Sequence, residues 1–182
     1  MINARFGTFR GLVRLGLAQL QVASGQAGII SPDPSDVKRL VFVCHGNICR
    51  SAFADVVAQE RGLRTASFGL STSAGGPAHE PAAAAALALG HDLSAHRTTK
   101  VEDFEARPGD LLLAMEVRQL HKLAALPALA DSPRSLLGLW ATPAFPHLHD
   151  PYQLDPAYMT ACLTRIEGAI PALAKAFPYA RL

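Results

Sequence analysis

The sequence contains few cysteines. Its 182 residues include only three, Cys44, Cys49 and Cys162. An odd and small number excludes a framework of structural disulfides and is typical of proteins in a reducing compartment. We therefore expect a cytoplasmic protein, in which the close pair Cys44 and Cys49 is explained better by catalysis or metal binding than by a structural bond.

Charged residues and long apolar runs are also scarce. Charged residues make up 18% of the chain, which is below the usual proportion of about a quarter. The formal net charge is only +2, so bulk charge gives no reason to expect a nucleic-acid partner. No apolar run approaches the roughly 20 residues that a membrane-spanning helix needs. The chain length and the apolar content of 49% instead suit one domain with a single core.

The N-terminal segment lacks acidic residues before Asp33, yet it carries Arg5, Arg10 and Arg14. Gln19 and Gln21 interrupt its apolar stretch, which argues against a secretory signal peptide. The larger apolar residues recur at helical spacing and predict an amphipathic helix whose apolar face contains Phe6, Phe9, Val13, Gly16, Leu17 and Leu20.

Three uses of this helix remain open: docking on the rest of the protein, contact with an anionic membrane surface, and organellar targeting. Residues 24–35 are rich in Gly, Ser and Pro and predict a linker. We therefore divide the chain into a basic helix with its linker, residues 1–36, and a catalytic domain, residues 37–182. All candidate catalytic residues belong to the second part, so we expect the first part to serve location or stability.

The remaining sequence alternates between strand and helix patterns. Strands are predicted at residues 39–43, 65–72, 110–115 and 135–140, and helices at 52–61, 82–89, 116–125 and 156–177. This order predicts a single three-layer α/β domain, with a four-stranded parallel sheet and helices on both of its faces. Functional sites in such sheets lie at the carboxyl ends of the strands, and Cys44 directly follows the first strand.

One contiguous motif carries the chemistry. The segment Cys44-His45-Gly46-Asn47-Ile48-Cys49-Arg50-Ser51 lies between a strand and a helix. Gly46 and Asn47 tolerate positive φ, so the loop can curl with its N–H groups inward and form an anion nest at the helix N-terminus. Arg50 would hold a phosphate bidentately, and the same field would stabilise the Cys44 thiolate as a nucleophile.

The same loop and a second segment supply the remaining functions. Ser51 can cap the following helix and can hydrogen-bond the Cys44 sulfur when it becomes a leaving group. A phosphatase also needs an acid for the departing oxygen. Asp150 is the candidate for that acid, because Pro151 restrains its backbone. Tyr152 would form a wall for a substrate ring.

These segments resemble the low-molecular-weight protein tyrosine phosphatases, from about Lys38 to Phe177. The resemblance rests on residues 41–51, Ser73-Ala74-Gly75, 93–97, 102–104, 111–115 and 150–152. It implies a phosphocysteine intermediate on Cys44, Asp150 as general acid and then base, and neither metal nor cofactor. It also implies that Asn47, Ser73 and His96 support the loop, whose residues His45 to Cys49 bind the substrate phosphate.

The resemblance implies a phosphotyrosyl protein as substrate, with a bacterial tyrosine kinase as a plausible partner. The connection 75–79 is short where the family often has a longer loop with an aromatic residue, and Gln153 stands where a second tyrosine is common. The preference for phosphotyrosine over another small aryl or alkyl phosphate is therefore left open. Ala52 replaces a proline of the family, a change that should leave catalysis intact.

Three other readings of the motif compete with a phosphatase. An arsenate reductase would need two further relay cysteines, and only Cys162 remains. A zinc module could use Cys44, Cys49, His147 and His149, but it would place a cation beside Arg50. A catalytically silent phosphate-binding regulator would have no need of both Cys44 and Asp150.

Overall fold

A computed structural model describes residues 2–182. Four parallel strands form one sheet, as the sequence predicts, and their order in the structure is β2-β1-β3-β4. The strands are β1 (Arg39–Cys44), β2 (Thr65–Gly69), β3 (Asp110–Ala114) and β4 (Arg134–Leu136). Three predicted strands run too far: β2 ends at Gly69, β3 ends one residue early at Ala114, and β4 gives way at Leu137 to a short 3₁₀ helix that ends at Trp140.

The helices are α1 (Ile2–Phe6), α2 (Phe9–Ala23), α3 (Arg50–Glu60), α4 (Glu80–Ala88), α5 (Val117–Ala124) and α6 (Pro156–Ala176). Helix α3 begins at Arg50, so the prediction that Ser51 caps it is wrong: Ser51 lies in its first turn. Gly62 follows α3 with a φ of +72°, which fits its predicted role in ending the helix. Pro171 lies inside α6 without dividing it.

Strand residues alternate between two apolar layers, which gives the predicted three-layer arrangement. Leu40 and Phe42 face one layer, in which α3, α4 and α6 pack. Val41 and Val43 face the other layer, which contains the buried side of α5 and also Ala18 of α2. Helix α2 therefore covers part of the sheet and belongs to the same folded unit.

The N-terminal helix docks, but through a different face from the one that its spacing predicts. Gly7, with a φ of +78°, separates α1 from α2. The buried residues of α2 are Gly11, Leu15 and Ala18. The predicted docking face instead points to solvent, where the exposed large residues of the helix are Phe9, Val13, Leu17 and Leu20.

The segment predicted as a linker is also bound to the sheet. Ile30 and Arg134 exchange two backbone hydrogen bonds of 2.9 Å, and the Arg134 Nε–H donates to the Gly28 carbonyl at 2.9 Å. These bonds cover the outer edge of β4, which would otherwise present unpaired backbone groups. The proposed boundary at residue 37 thus crosses a hydrogen-bonded region.

Within residues 2–182, none of the helices combines the length and the apolar character required to cross a membrane.

Candidate active site

The loop between β1 and α3 curls around the Cys44 sulfur. Asn47 has a φ of +53°, whereas Gly46 lies outside the left-handed region, so only Asn47 provides the predicted reversal. In the described part of the chain, no group accepts from the backbone N–H groups of Gly46, Ile48 or Cys49. Free N–H groups at the start of α3 form an anion nest of the kind that binds a phosphate.

The Asn47 side chain holds this unusual backbone in place. Its Nδ2 donates to Ser51 Oγ at 2.9 Å and to Ser67 Oγ at 3.1 Å, and its Oδ1 accepts from the Thr99 N–H at 2.9 Å. The His96 Nε2–H donates to the Asn47 carbonyl at 2.7 Å. Ser67 in turn donates to Asp55 at 2.8 Å. Strand β2 and the loop before residue 100 therefore fix the shape of the phosphate loop.

The predicted support from Ser73 is wrong. Ser73 is exposed, and it is its backbone carbonyl, not its hydroxyl, that takes part in local hydrogen bonds with Thr72 and Thr98. Ser67 occupies the position in the network that was predicted for Ser73. The segments 67–69 and 73–75 both begin with Ser and end with Gly. Only the first of them, which belongs to β2, lies beside Asn47.

Cys44 is buried at the base of the loop. Its sulfur accepts from the Asn47 N–H at 3.2 Å, and Ser51 Oγ lies 2.9 Å away. Both contacts stabilise negative charge on the sulfur, which is the nucleophilic form. Cys49 is different, because burial raises the pKa of its thiol well above the usual range. The two cysteines of the loop therefore have unequal chemistry.

Arg50 lies at the centre of the site with only 1% of its side chain exposed. Its Nη1 donates to Glu116 Oε1 and to the Leu148 carbonyl, both at 2.8 Å, and its Nη2 lies 2.7 Å from Asp150 Oδ2. Burial by itself would lower the pKa of Arg50, but Asp150 and Glu116 outweigh it and raise that pKa. Its Nε has no partner among the described residues. The Nε–Nη2 edge has the planar fork geometry that suits bidentate binding of a phosphate.

Glu116 was missed by the sequence reasoning. Burial opposes its charge, yet Arg50 and Arg118 lower the pKa of its carboxyl to about 2. Arg118 Nη2 donates to Oε1 at 3.0 Å, and Arg118 Nε lies 2.8 Å from Oε2. An acid directly after the third strand could have been noticed, because a buried arginine needs a carboxylate partner and strand ends converge at one edge.

Asp150 and Tyr152 line the same cavity as the phosphate loop. The Tyr152 N–H donates to Asp150 Oδ1 at 3.3 Å, and the ring of Tyr152 lies 4.7 Å from that of His79. A cavity of about 210 Å³ opens between them, lined by Cys44, His45, Gly46, Ile48, Cys49, Arg50, Ser71, Thr72, Asp150 and Tyr152. His79 thus supplies an aromatic partner from the connection that seemed too short to contain one.

The donors of the zinc alternative are not assembled. His149 Nε2 faces Thr8 Oγ1 at 3.2 Å, and His147 Nδ1 faces Glu116 at 3.9 Å. Residues 2–182 contain no cluster of three His, Cys, Asp or Glu side chains that is arranged to bind a metal ion. Cys162 is fully buried in α6, and burial raises the pKa of its thiol to about 12. That position gives no support to a cysteine relay of the arsenate reductase type.

This geometry agrees with comparisons to known proteins. The family described as low molecular weight phosphotyrosine protein phosphatase matches residues 39–180. The chain belongs to this family. Its members are cysteine-dependent protein-tyrosine phosphatases that act through a phosphocysteine intermediate, and this phosphatase has the family's fold with Cys44 as the last residue of β1.

Three relatives show the extent of the likeness. The phosphatase Ptp of Acinetobacter johnsonii is 32% identical over 123 residues, covering 66% of this chain and 84% of the relative. The structure of Vibrio vulnificus Wzb with benzylphosphonate has a TM-score of 0.65 and 25% identity, covering 76% of this chain and 98% of that one. A structure of the arginine phosphatase YwlE has a TM-score of 0.65 and 25% identity, covering 75% and 93%.

Proposed function

We propose that this phosphatase hydrolyses phosphotyrosine in proteins, with Cys44 as nucleophile, Arg50 as phosphate ligand and Asp150 as general acid. The observation that carries the proposal is the convergence of Cys44 Sγ, the unpaired N–H groups of the loop and the Asp150 carboxyl on one cavity. In the first step Sγ attacks phosphorus, the P–O bond to the ring breaks, and Asp150 gives its proton to the leaving oxygen.

The second step regenerates the enzyme. A water molecule attacks the phosphocysteine, Asp150 accepts the water proton, and the S–P bond breaks to release inorganic phosphate. The Ser51 hydroxyl, 2.9 Å from Sγ, stabilises the thiolate as it leaves. The loop N–H groups and Arg50 hold the transferred phosphoryl group in both steps, so no metal ion is needed for charge neutralisation.

Arg50 links phosphate binding to the position of Asp150. The Asp150 carboxylate and an incoming phosphate compete for the same Nη2, which lies 2.7 Å from Asp150 Oδ2. A bound phosphate removes that cationic partner from Asp150 and adds negative charge beside it. The phosphate thereby separates the Asp150 carboxyl from Arg50 and leaves it beside the leaving oxygen, where a general acid must lie.

The walls of the cavity support an aryl substrate. Ile48 and Tyr152 line it with apolar surface, and Tyr152 is backed by His79. The benzylphosphonate bound to the Vibrio relative also carries an aromatic ring, which one methylene carbon joins to the phosphonate group. A phosphoarginine side chain, which the name of YwlE suggests as the alternative, would bring a polar guanidinium against these walls.

The test of substrate class is a comparison of kcat/KM on three peptides of one sequence, phosphorylated on tyrosine, serine or arginine. We expect the phosphotyrosyl peptide to be preferred by at least about 100-fold, because burial of the aromatic ring adds a few kcal/mol. A preference for the phosphoarginyl peptide would overturn the assignment. An equal rate on all three would indicate a nonspecific phosphomonoesterase.

We further propose a cytoplasmic location and a bacterial tyrosine kinase among the substrates. The three cysteines are free, and the nucleophile must stay reduced to act. The test is a comparison of the phosphotyrosine proteome of cells with the parent enzyme and cells with an inactive Cys44→Ser variant. Accumulation of phosphotyrosine on a tyrosine kinase is expected; an unchanged phosphotyrosine profile would contradict this partner.

A further inference from the structure

The N-terminal segment touches the loop that carries Asp150, although it lies outside the family match. Thr8 Oγ1 is 3.2 Å from His149 Nε2, and His149 directly precedes Asp150. Gly7 and Gly11 pack against the same imidazole: a Cβ at Gly7 would lie 2.9 Å from the ring, and a Cβ at Gly11 would lie 3.1 Å from it. The absence of a side chain at these two glycines leaves room for the His149 ring, and Thr8 contacts its Nε2.

The contact continues inward to the catalytic arginine. His149 Nδ1 lies 3.4 Å from His147 Nε2, and His147 Nδ1 lies 3.9 Å from Glu116 Oε2. Glu116 binds Arg50 through its other oxygen at 2.8 Å. A line of polar contacts therefore joins the first turn of α2 to the guanidinium that faces the substrate.

One arrangement of protons satisfies every contact in this line. Burial lowers the pKa of both histidines, that of His147 to about 4, so each is neutral near pH 7 with one N–H and one acceptor nitrogen. Thr8 Oγ1 accepts from the Gly11 N–H at 2.9 Å, which leaves its own proton for His149 Nε2. His149 Nδ1–H then points to His147 Nε2. His147 carries its proton on Nδ1, whose 3.9 Å approach to Glu116 Oε2 is an electrostatic contact and not a hydrogen bond.

We propose that Thr8 is a positioning residue for the reaction, and that residues 7–11 clamp the loop 147–150 so that Asp150 meets the leaving oxygen. The hydroxyl fixes the orientation of His149, and the backbone of His149 sets the position of the next residue. The inference rests on the proposed role of Asp150 as general acid. It replaces the expectation that the N-terminal segment serves only location or stability.

The test compares Thr8→Val, Thr8→Gly and Thr8→Ser in the full chain. Valine removes the hydroxyl and the helix cap, glycine removes the hydroxyl but is tolerated as a cap, and serine keeps both functions. The readout is kcat/KM for phenyl phosphate, which has a poor leaving group, and for p-nitrophenyl phosphate, which has an acidic one. Melting temperature is measured in parallel.

We expect Thr8→Val and Thr8→Gly to lower kcat/KM about tenfold for phenyl phosphate and less than about twofold for p-nitrophenyl phosphate, since only the former depends on a well-placed acid. Thr8→Ser should match the parent. Equal losses on both substrates, no loss, or failure of serine to rescue would overturn the proposal. If Asp150→Ala itself shows no dependence on the leaving group, the proposed function fails instead.

A second surface is carried by a separate observation. The face of α2 opposite the docked side exposes four large apolar side chains in 12 residues: Phe9 (69%), Val13 (46%), Leu17 (53%) and Leu20 (67%). Soluble surfaces seldom expose a continuous apolar stripe of this kind without a partner. The spacing of these four residues along the sequence places all of them on one side of the helix.

The positive charge beside this apolar stripe indicates which kind of partner it binds. Arg5 and Arg10 are exposed, and no acidic residue precedes Asp33. Pairing of two copies of the stripe would bring these basic flanks together without a local acid to neutralise them. We propose that the exposed face of α2 binds an anionic lipid surface, with the helix lying in the plane of the membrane.

The test is sedimentation with vesicles of phosphatidylcholine alone or mixed with phosphatidylglycerol. The parent should bind the mixed vesicles, and binding should weaken in high salt. The double variant Phe9→Gln/Leu20→Gln should lose this binding, whereas Leu87→Gln, a control at an equally exposed leucine on α4, should keep it. Absence of binding, equal binding to neutral vesicles, or concentration-dependent dimers that the double variant abolishes would overturn the proposal.

Discussion

At the scale of single residues, Arg50 is the side chain on which the site depends. It is bound by Glu116, the Leu148 carbonyl and Asp150, and its buried Nε has no partner among the described residues. A buried guanidinium needs such partners, because an unpaired buried charge is costly. The carboxylate of Glu116 therefore sets the orientation in which Arg50 meets a phosphate.

Replacement of Glu116 by Gln should weaken both catalysis and folding. The variant leaves Arg50 and Arg118 beside a neutral group, so we expect a loss of about 3 kcal/mol in the free energy of unfolding and of about tenfold or more in kcat/KM. Urea unfolding and p-nitrophenyl phosphate turnover measure these quantities. Glu102→Gln, at an exposed glutamate, is the control; if the two variants behave alike, Glu116 does not position Arg50.

Asp150→Ala should slow phenyl phosphate hydrolysis by roughly 10²–10⁴, the usual contribution of a general acid. The loss should shrink for p-nitrophenyl phosphate, because an acidic phenol leaves without a proton. A plot of rate against leaving-group pKa for the parent and the variant measures the effect. Parallel lines would mean that Asp150 serves the structure of the site and not proton transfer.

Ser67→Ala and Ser73→Ala form a matched pair that tests the loop network. Ser67 accepts from Asn47 and donates to Asp55, so its loss should lower kcat/KM by about tenfold, the equivalent of one buried hydrogen bond. Ser73→Ala should stay within about twofold of the parent, since the exposed hydroxyl of Ser73 makes no contact with the loop. A larger loss at Ser73 would contradict this network.

The contrast between these two serines shows which parts of the site can be predicted from the sequence. The nucleophile, the arginine and the loop donors lie within eight consecutive residues, so local chemistry was enough to predict them. Ser67 and Glu116 reach the site from β2 and from the end of β3, and their contacts depend on strand order and register. A single sequence contains no direct signal for those contacts.

At the scale of elements, the loop 147–150 couples titration to stability. Burial lowers the pKa of His147 to about 4, although the charge of Glu116 opposes this effect. In the unfolded chain His147 binds a proton near pH 6.5, whereas in the folded protein it stays neutral down to about pH 4. Stability is therefore greatest above pH 6.5 and decreases as the pH falls toward 4.

The measurement is urea unfolding at pH 7.5 and at pH 5. Between pH 7.5 and pH 5, protonation of His147 in the unfolded chain should lower the free energy of unfolding of the parent by about 2 kcal/mol. The variant His147→Asn should not show this part of the decrease. His121→Asn, at an exposed histidine of α5, should lose as much as the parent. An equal pH dependence in all three proteins would show that His147 is not held neutral by the fold.

Element types were predictable because apolar alternation and Gly or Pro at helix ends are local signals. The ends of the elements were harder to predict. Strand β2 stops at Gly69 because the chain bends there, and Ser71 and Thr72 line the cavity. The face of α2 was misassigned for a physical reason. Its docked side uses small residues, Gly11 and Ala18, that allow close approach, and the spacing of large apolar residues marks the opposite side.

At the scale of the whole molecule, the N-terminal segment is part of the domain. Ala18 and Ala27 share an apolar cluster with Val41 and Val43 of the sheet, and Ile30 pairs with Arg134 at the edge of β4. The division at residue 37 followed composition, which does not reveal that a Gly- and Pro-rich stretch pairs with a strand.

Removal of residues 1–23 should therefore lower the melting temperature by about 5 °C or more, since a loss of a few kcal/mol has that effect in a domain of this size. The apolar face of the sheet would be partly exposed, and solubility should fall with it. Thermal unfolding of the full and shortened chains measures the change. An unchanged melting temperature would mean that α2 contributes no net stability to the fold.

In the proposed mechanism Cys44 carries the phosphoryl group during turnover. The most direct test of this claim is mass spectrometry of the enzyme quenched in denaturant during turnover of a phosphotyrosyl peptide. We predict one added phosphoryl group on the peptide that contains Cys44, and no turnover by Cys44→Ala, which should still bind inorganic phosphate through the loop and Arg50. A phosphoryl group on another residue, or retention by Cys44→Ala of more than about a tenth of the parent rate, would contradict the account.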